Sequence, residues 1–160
     1  MQDQQADLEW QDNGVPVSNR FDDPYFSVDN GLEETQHVFL AGNDLPARFC
    51  DGFHVAELGF GTGLGFLTTV QAWMKSGVQG HLHFTSFEAF PMTASEMARA
   101  LSAFPELAEL VAPLVQLWVG KAQPIQYAPN ITLEVILGDA RQTLPDWNGK
   151  ADAWFLDGFS

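Results

Sequence analysis

The chain has 160 residues, 46% of them hydrophobic, and a formal net charge of −14 from seven basic and 21 acidic residues. This composition can bury one sizeable core and predicts a single folded domain rather than a disordered chain. The charge disfavours long-range attraction to nucleic acid, and the few basic residues are scattered. A single cysteine, Cys50, excludes an internal disulfide framework. Because no apolar run could span a bilayer and the first residues do not resemble a secretion signal, we expect a cytoplasmic protein.

Residues 1–50 combine polar turns with short aromatic or branched segments. The turns Asp12-Asn13-Gly14 and Asp29-Asn30-Gly31 predict brief strands or hairpins. A helix is expected around residues 32–40. We expect this N-terminal extension to form a lid or an added layer on the domain that spans residues 51–160.

From residue 53 onward, apolar strands alternate with helices. Thr93 and Glu96 have the spacing of a capping box, which predicts a helix from there to about residue 103. Alternating strands and helices predict an α/β, Rossmann-like fold with a mainly parallel sheet and helices on both faces. The predicted strands are 53–58, 82–88, 131–137 and 153–156, the other helices are 64–75, 106–118 and 140–144, and residues 120–130 are predicted to be an irregular connection.

The segment Glu57-Leu58-Gly59-Phe60-Gly61-Thr62-Gly63 lies where a predicted strand ends and a helix begins. Its glycines permit close backbone approach, and the helix start directs N–H groups at a ligand. Dinucleotide-binding turns have the spacing Gly-x-Gly-x-x-Gly, whereas here the glycines alternate and follow an acidic residue. That carboxylate favours a cationic ligand, S-adenosylmethionine, over a pyrophosphate. Alternatively, the turn only packs the strand on the helix. The candidate cofactor-binding residues here are Glu57, Gly59, Phe60, Gly61, Thr62 and Gly63.

Three more acidic residues end predicted parallel strands, at the sheet edge where open α/β folds bind ligands. Glu88 is placed to accept hydrogen bonds from both ribose hydroxyls. Asp139, followed by Ala140, is placed to meet the adenine amino group, although it fits equally well as the N-cap of the next helix. Asp157 ends the last strand. We expect these residues and Glu57 to surround one cavity.

Aromatic and histidine residues add less specific information. Phe90 and Phe159 are our candidates for stacking on adenine or on a substrate base. His81 and His83 alternate on one strand without metal-ligand spacing, which is typical of surface histidines. We therefore predict no metal site.

Several blocks of sequence resemble the methyltransferase domain of the MnmC family, the bifunctional tRNA 5-methylaminomethyl-2-thiouridine biosynthesis proteins. The most distinctive are Phe21-Asp22-Asp23-Pro24-Tyr25-Phe26-Ser27 and Trp154-Phe155-Leu156-Asp157-Gly158-Phe159. The other blocks are residues 14–18, 31–35, 38–40, 59–64, 87–88 and 152–153 with Ser160. The resemblance covers nearly the whole chain.

This resemblance implies methyl transfer from S-adenosylmethionine to the amine of an aminomethyl group on the modified wobble uridine of tRNA. Asp157 is then the expected catalytic residue, which orients the substrate ammonium and helps to remove its proton. A flavin-dependent oxidase domain is expected in the full-length bifunctional protein, and no flavin in this segment. Two features depart from the family: the domain is truncated after the fourth strand, and Gly65 stands where the resemblance implies asparagine.

Two other functions remain open from the sequence. The chain could be an S-adenosylmethionine-binding fragment without activity, because of the truncation. It could also resemble a polyamine aminopropyltransferase, whose sites are likewise acidic.

Overall fold

A computed structural model describes residues 5–21, 23–26, 31–118 and 124–156. The N-terminal part contains a three-stranded antiparallel sheet, and the remainder contains a five-stranded sheet in the order β6-β7-β5-β4-β8. The strands are β1 (Leu8–Trp10), β2 (Pro16–Ser18), β3 (Asp23–Pro24), β4 (Phe53–Leu58), β5 (Leu82–Glu88), β6 (Pro124–Ala128), β7 (Ile131–Leu137) and β8 (Ala153–Phe155). The helices are α1 (Gly31–Thr35), α2 (Leu64–Ser76), α3 (Ala94–Leu101), α4 (Ala108–Leu117) and α5 (Ala140–Thr143).

The N-terminal sheet follows from the turn predicted at residues 12–14. Gly14 has a φ of 86° and its N–H donates to the carbonyl of Gln11, so β1 reverses into β2. The helix predicted over residues 32–40 is present as α1, which continues as a π-helix over Gln36–Leu40 and a 3₁₀ turn over Ala41–Asn43. Of the second predicted turn, residues 29 and 30 lie outside the described residues.

The central sheet is parallel except for its edge strand β6, which pairs antiparallel with β7. The prediction of an irregular connection was wrong for residues 124–128. Ile125 and Tyr127 alternate with an exposed Gln126 and pack into the core, the pattern of a half-buried strand. Pro124 is compatible with this strand because it is the first residue of an edge strand.

Capping residues fix the helix ends near the sheet. In α3, the hydroxyl of Thr93 accepts from the backbone N–H of Glu96, whose carboxylate accepts from the N–H of Thr93. This is the capping box expected from the sequence. Gly77 ends α2 in the left-handed conformation.

The two faces of the central sheet have different coverings. On one face, Phe66 of α2 packs edge-on against Phe84, and Phe39 of the π-helix stacks on Phe155 with the ring centroids 4.5 Å apart. On the opposite face, the Trp147 ring meets a smaller aromatic group formed by His54, Phe87 and Trp154. The helices α1, α2 and α4 cover the first of these faces. Glu57 belongs to the same face, because side chains alternate along β4.

Candidate functional site

A cavity of about 280 Å³ lies at the carboxyl ends of β4 and β5. This volume is close to the lower end of the range of roughly 300–1,000 Å³ for small-molecule sites. The cavity opens where parallel α/β sheets bind ligands. Its lining residues are Asp23, Pro24, Tyr25, Thr35, Phe39, Glu57, Leu58, Gly59, Phe60, Gly61, Thr62, Leu64, Gly65 and Glu88.

The glycine turn forms one side of the cavity. Gly59, Gly61 and Gly63 have φ values of 87°, 57° and 89°, a region that other residues rarely adopt. A β-carbon at Gly63 would also lie 3.0 Å from Leu114 of α4. Thr62 is buried, and its hydroxyl accepts from the N–H of Leu64 at the start of α2. The turn thus holds backbone close to the cavity and starts the helix.

Glu88 is the carboxylate most tightly fixed by this turn. Its Oε1 accepts from the N–H of Gly61 at 2.7 Å, and its Oε2 accepts from the N–H of Phe90 at 3.0 Å. Only 9% of its surface is exposed. Burial raises the pKa of the carboxyl, and the hydrogen bonds from backbone N–H groups oppose that rise. Each carboxylate oxygen has a further lone pair with which it can accept a ligand hydroxyl.

Glu57, on the neighbouring strand, is 4% exposed and also lines the cavity. Its Oε1 accepts from the Ser86 hydroxyl at 2.8 Å. Its Oε2 occupies the space where a β-carbon of residue 65 would lie. Because residue 65 is glycine, there is room for this carboxylate above α2. The residue that departs from the family pattern therefore directly contacts a candidate site residue.

The opposite wall comes from the N-terminal part of the chain. Asp23, Pro24 and Tyr25 approach from β3, while Thr35 and Phe39 come from α1 and the π-helix. Sequence reasoning missed these five residues as site residues. Periodicity could not have found them because the contacts join segments far apart in the chain, although the block that includes Asp23 to Tyr25 carries the family resemblance.

Two predicted site residues have their rings directed elsewhere. The Phe60 ring is buried and stacks on Trp118, with centroids 5.1 Å apart and planes 6° apart. Phe90 is absent from the lining set among the described residues, and the Arg20 guanidinium lies 4.3 Å from its ring centroid. Phe90 nevertheless reaches the site through its backbone N–H, which binds Glu88.

Asp139, a third acidic residue expected at the cavity, is not brought together with Glu57 and Glu88. Asp139 accepts from the N–H of Arg141 as the N-cap of α5 and forms an ion pair with its guanidinium at 2.6 Å. These contacts lower the pKa of Asp139. Neither Asp139 nor Ala140 is among the lining residues. Asp157 and Phe159 lie outside the described residues.

The chain is similar in sequence to several known proteins. A family model described as S-adenosyl-L-methionine-dependent methyltransferase matches residues 105–160. The bifunctional protein MnmC of Aeromonas hydrophila, named for tRNA 5-methylaminomethyl-2-thiouridine biosynthesis, is 45% identical over 171 residues, which cover 97% of this chain and 26% of that protein. The MnmC of Leptospira borgpetersenii is 44% identical, with 96% and 25% covered. Nearly the whole chain is therefore similar to one part of the MnmC proteins. The resemblance stated from the sequence is thereby confirmed.

A solved structure supports the fold. The crystal structure of MNMC2 from Aquifex aeolicus superposes with a TM-score of 0.65 and 21% identity, and covers 98% of this chain and 50% of that one. The Rossmann-like α/β fold predicted from the sequence is confirmed. The chain spans about a quarter of the length of the curated MnmC relatives that it matches.

The cavity fits S-adenosylmethionine, the cofactor of the matched methyltransferase family. The molecule carries an ammonium and a sulfonium charge, and Glu57 and Glu88 supply two buried carboxylates beside the turn. Gly59 and Gly61 contribute backbone but no side chain of their own to the lining of the cavity. The sequence predictions of this cofactor and of a methyltransferase enzyme are confirmed at the level of the family.

Among the helices of the described residues, none has both the length and the apolar character needed to span a bilayer. Within the same ranges, no group of three or more histidine, cysteine, aspartate or glutamate side chains is arranged to hold a metal ion.

Proposed function

We propose that this chain is the S-adenosylmethionine-binding part of an enzyme that methylates the amine of an aminomethyl group on the wobble uridine of tRNA, in the cytoplasm. The observation that carries the proposal is the pair of buried carboxylates, Glu57 and Glu88, beside a turn of three glycines with positive φ. The names of the MnmC relatives supply the tRNA and the modified nucleoside. The N-terminal extension acts as a lid in this proposal, because residues 23–25 line the cavity.

The side chains around the cavity divide the work of binding. Glu88 holds the ribose hydroxyls with the lone pairs that its bonds to Gly61 and Phe90 leave available. Glu57 supplies negative charge for the cationic end of the cofactor, which an anionic nucleotide would not match. The backbone of Gly59 and Gly61 permits close approach of the cofactor. Thr62 orders the start of α2, because its hydroxyl accepts from the N–H of Leu64.

We assign catalysis to Asp157 on the basis of its position in the sequence and of the family resemblance. The cofactor supplies an electrophilic methyl group on a positively charged sulfur. Asp157 orients the substrate amine and takes up its proton, since an amine is a nucleophile only with a free lone pair. Phe90 stays a proposed contact of adenine on the same grounds, and for Asp139 an adenine contact is the alternative to its capping role.

The acidic charge of the chain shapes how tRNA is recognised. The net charge of −14 repels the phosphate backbone at long range. A negative cavity instead attracts the local positive charge of an aminomethyl group. We assign the phosphate contacts to other surfaces, which include the flavin-dependent oxidase domain expected in the full-length bifunctional protein.

Methylation of a defined RNA tests the proposal. The chain is incubated with tRNA that carries an aminomethyl-uridine and with S-adenosylmethionine labelled in its methyl group, and labelled methylaminomethyl nucleoside is the expected product. Asp157→Asn is expected to slow transfer by about a hundredfold or more, with the dissociation constant of the cofactor within about threefold. Asp146→Asn, which changes an exposed carboxylate, serves as the matched control.

Three results would contradict the proposal. Cofactor binding without any methylated nucleoside would support an inactive binding fragment. Transfer of a propylamine group to putrescine would support an aminopropyltransferase. Equal activity of the Asp157→Asn variant and the unmodified chain would show that Asp157 has no catalytic role.

A further inference from the structure

Tyr25 brings an aromatic ring to the cavity from a part of the chain far from the glycine turn. Its backbone N–H donates to the carbonyl of Pro16 at 3.0 Å, which ties it to the N-terminal sheet. The ring lies over Gly61, where an added β-carbon would be 3.2 Å from Cδ1 of Tyr25. Tyr25 therefore lines the cavity beside Gly61, the residue of the turn whose N–H binds Glu88.

The sheet that carries Tyr25 is anchored on both sides. The N–H of Ala6 donates to the carbonyl of Pro91, just after β5. The guanidinium of Arg99 in α3 lies 4.0 Å from the ring centroid of Trp10 in β1. These contacts hold the N-terminal sheet against the segment that follows Glu88, so the Tyr25 wall has a fixed position.

The surroundings of Tyr25 are negative and partly shielded from water. Glu88 and Glu57 line the same cavity, and Glu88 is buried. Burial and the charges of Glu88 and Glu96 raise the pKa of the Tyr25 phenol above its ordinary range. The phenol therefore remains neutral, and its ring presents a negative π face. Aromatic rings combined with carboxylates are the chemistry that recognises onium cations.

We propose that Tyr25 is a specificity-determining residue, whose ring favours the positively charged sulfonium of the methyl donor over the neutral thioether left after transfer. This inference rests on the proposed function, because it assumes the same cofactor cavity. An aromatic wall attracts a cation and loses the electrostatic part of that attraction when the charge is gone. Tyr25 thus promotes exchange of spent cofactor for fresh donor.

Binding of two matched ligands tests the role of the ring. Calorimetry gives dissociation constants for S-adenosylmethionine and for its demethylated thioether product with the unmodified chain and with Tyr25→Phe, Tyr25→Leu and Tyr25→Met. Tyr127→Phe is the matched control, because its hydroxyl binds the carbonyl of Leu110, outside the cavity lining. Circular dichroism and thermal melting establish that each variant is folded.

The ratio of the two dissociation constants is the deciding quantity. We expect Tyr25→Phe and Tyr127→Phe to keep the preference of the unmodified chain for the sulfonium. Tyr25→Leu and Tyr25→Met are expected to reduce this preference roughly threefold to thirtyfold, mainly by weakening the binding of the donor. Equal weakening of both ligands, or no change in either, would overturn the proposal.

The outcome for Tyr25 can be separated from that for the proposed function. An altered preference in the non-aromatic variants, together with no methylation of tRNA by the unmodified chain, would support the role of Tyr25 and overturn the proposed substrate. An unmodified chain that binds neither ligand would overturn both the cofactor site and the role of Tyr25.

Discussion

Oxygen Oε2 of Glu57 fills the space above the α-carbon of Gly65 that a side chain would otherwise occupy. Glu57 is the next-to-last residue of β4 and Gly65 lies in the first turn of α2, so one carboxylate joins the strand and the helix on either side of the glycine turn. The absence of a side chain at residue 65 and the position of the Glu57 carboxylate are therefore two aspects of one arrangement.

Gly65→Ala is expected to destabilise the chain. Alanine normally stabilises a helix by about 1 kcal/mol relative to glycine, but here the new β-carbon forces a buried carboxylate aside at a cost of about 1–3 kcal/mol. Equilibrium denaturation in urea measures the difference. Gly42→Ala is the control, since nothing lies within 4 Å of its added β-carbon. If the clash is the cause, the penalty disappears in the Glu57→Ala background, whereas a persistent penalty would contradict this explanation.

Ser86→Ala removes a buried hydrogen-bond donor from Glu57. Because a buried acceptor loses a partner, we expect the free energy of unfolding to fall by about 1–3 kcal/mol. Ser102→Ala, at an exposed position whose hydroxyl donates to the carbonyl of Arg99, is expected to change it by less than about 0.5 kcal/mol. Urea denaturation of both variants gives the comparison. Equal effects would show that Ser86 contributes nothing specific to the carboxylate.

Binding of S-adenosylmethionine is expected to weaken as the pH is lowered through the raised pKa of Glu88. The pKa lies above the ordinary value of 4.5 because the carboxyl is buried. The protonated carboxyl is a poorer acceptor for ribose hydroxyls, so Glu88→Gln is expected to bind roughly tenfold more weakly and to lose this pH dependence. Calorimetry between pH 4.5 and 7.5 measures it. An unchanged pH dependence in the variant would assign the titration to another group.

The raised pKa of Glu88 also predicts how the stability of the ligand-free chain depends on pH, and this trend is opposite to that of cofactor binding. A carboxyl whose folded-state pKa exceeds its unfolded-state pKa binds a proton more tightly when folded. Its contribution to stability is complete below the unfolded-state pKa and is lost as the pH rises through the folded-state pKa. Thermal melting should show Glu88→Gln gaining stability relative to the unmodified chain as the pH rises from about 4.5.

Asp139→Ala separates a capping role from a cofactor contact. Asp139 binds the N–H and guanidinium of Arg141. We expect the variant to lower the melting temperature through loss of the cap, and to leave the dissociation constant of S-adenosylmethionine within about twofold. Asp139→Asn keeps a good N-cap residue and is the control for stability. A tenfold loss of affinity in Asp139→Ala would instead support the adenine contact expected from the sequence.

The parallel strands and the caps were predictable because their signals are local. The strands at 53–58, 82–88 and 131–137 agree with the predicted residues, since each is an apolar run next to a turn. The Thr93–Glu96 capping box depends on four consecutive residues. Strand β6 was not predicted because proline and glycine nearby obscured a five-residue alternation.

The candidate site was predictable on one wall only. The glycine turn, Glu57 and Glu88 follow from the rule that ligands bind at the carboxyl ends of parallel strands. The wall formed by Tyr25 and Phe39 depends on how the N-terminal segment folds back, which local patterns do not encode. For Asp139, the sequence left a cap and a cofactor contact equally open, and the structure shows the cap.

The stacking of Phe60 on Trp118 gives the molecule an internal optical reporter. The buried indole donates its N–H to the carbonyl of Met92 and lies face to face with a residue of the glycine turn. Any ligand that displaces the turn also changes the environment of this chromophore. Binding of such a ligand can therefore be followed by tryptophan emission or near-ultraviolet dichroism, without attaching a dye.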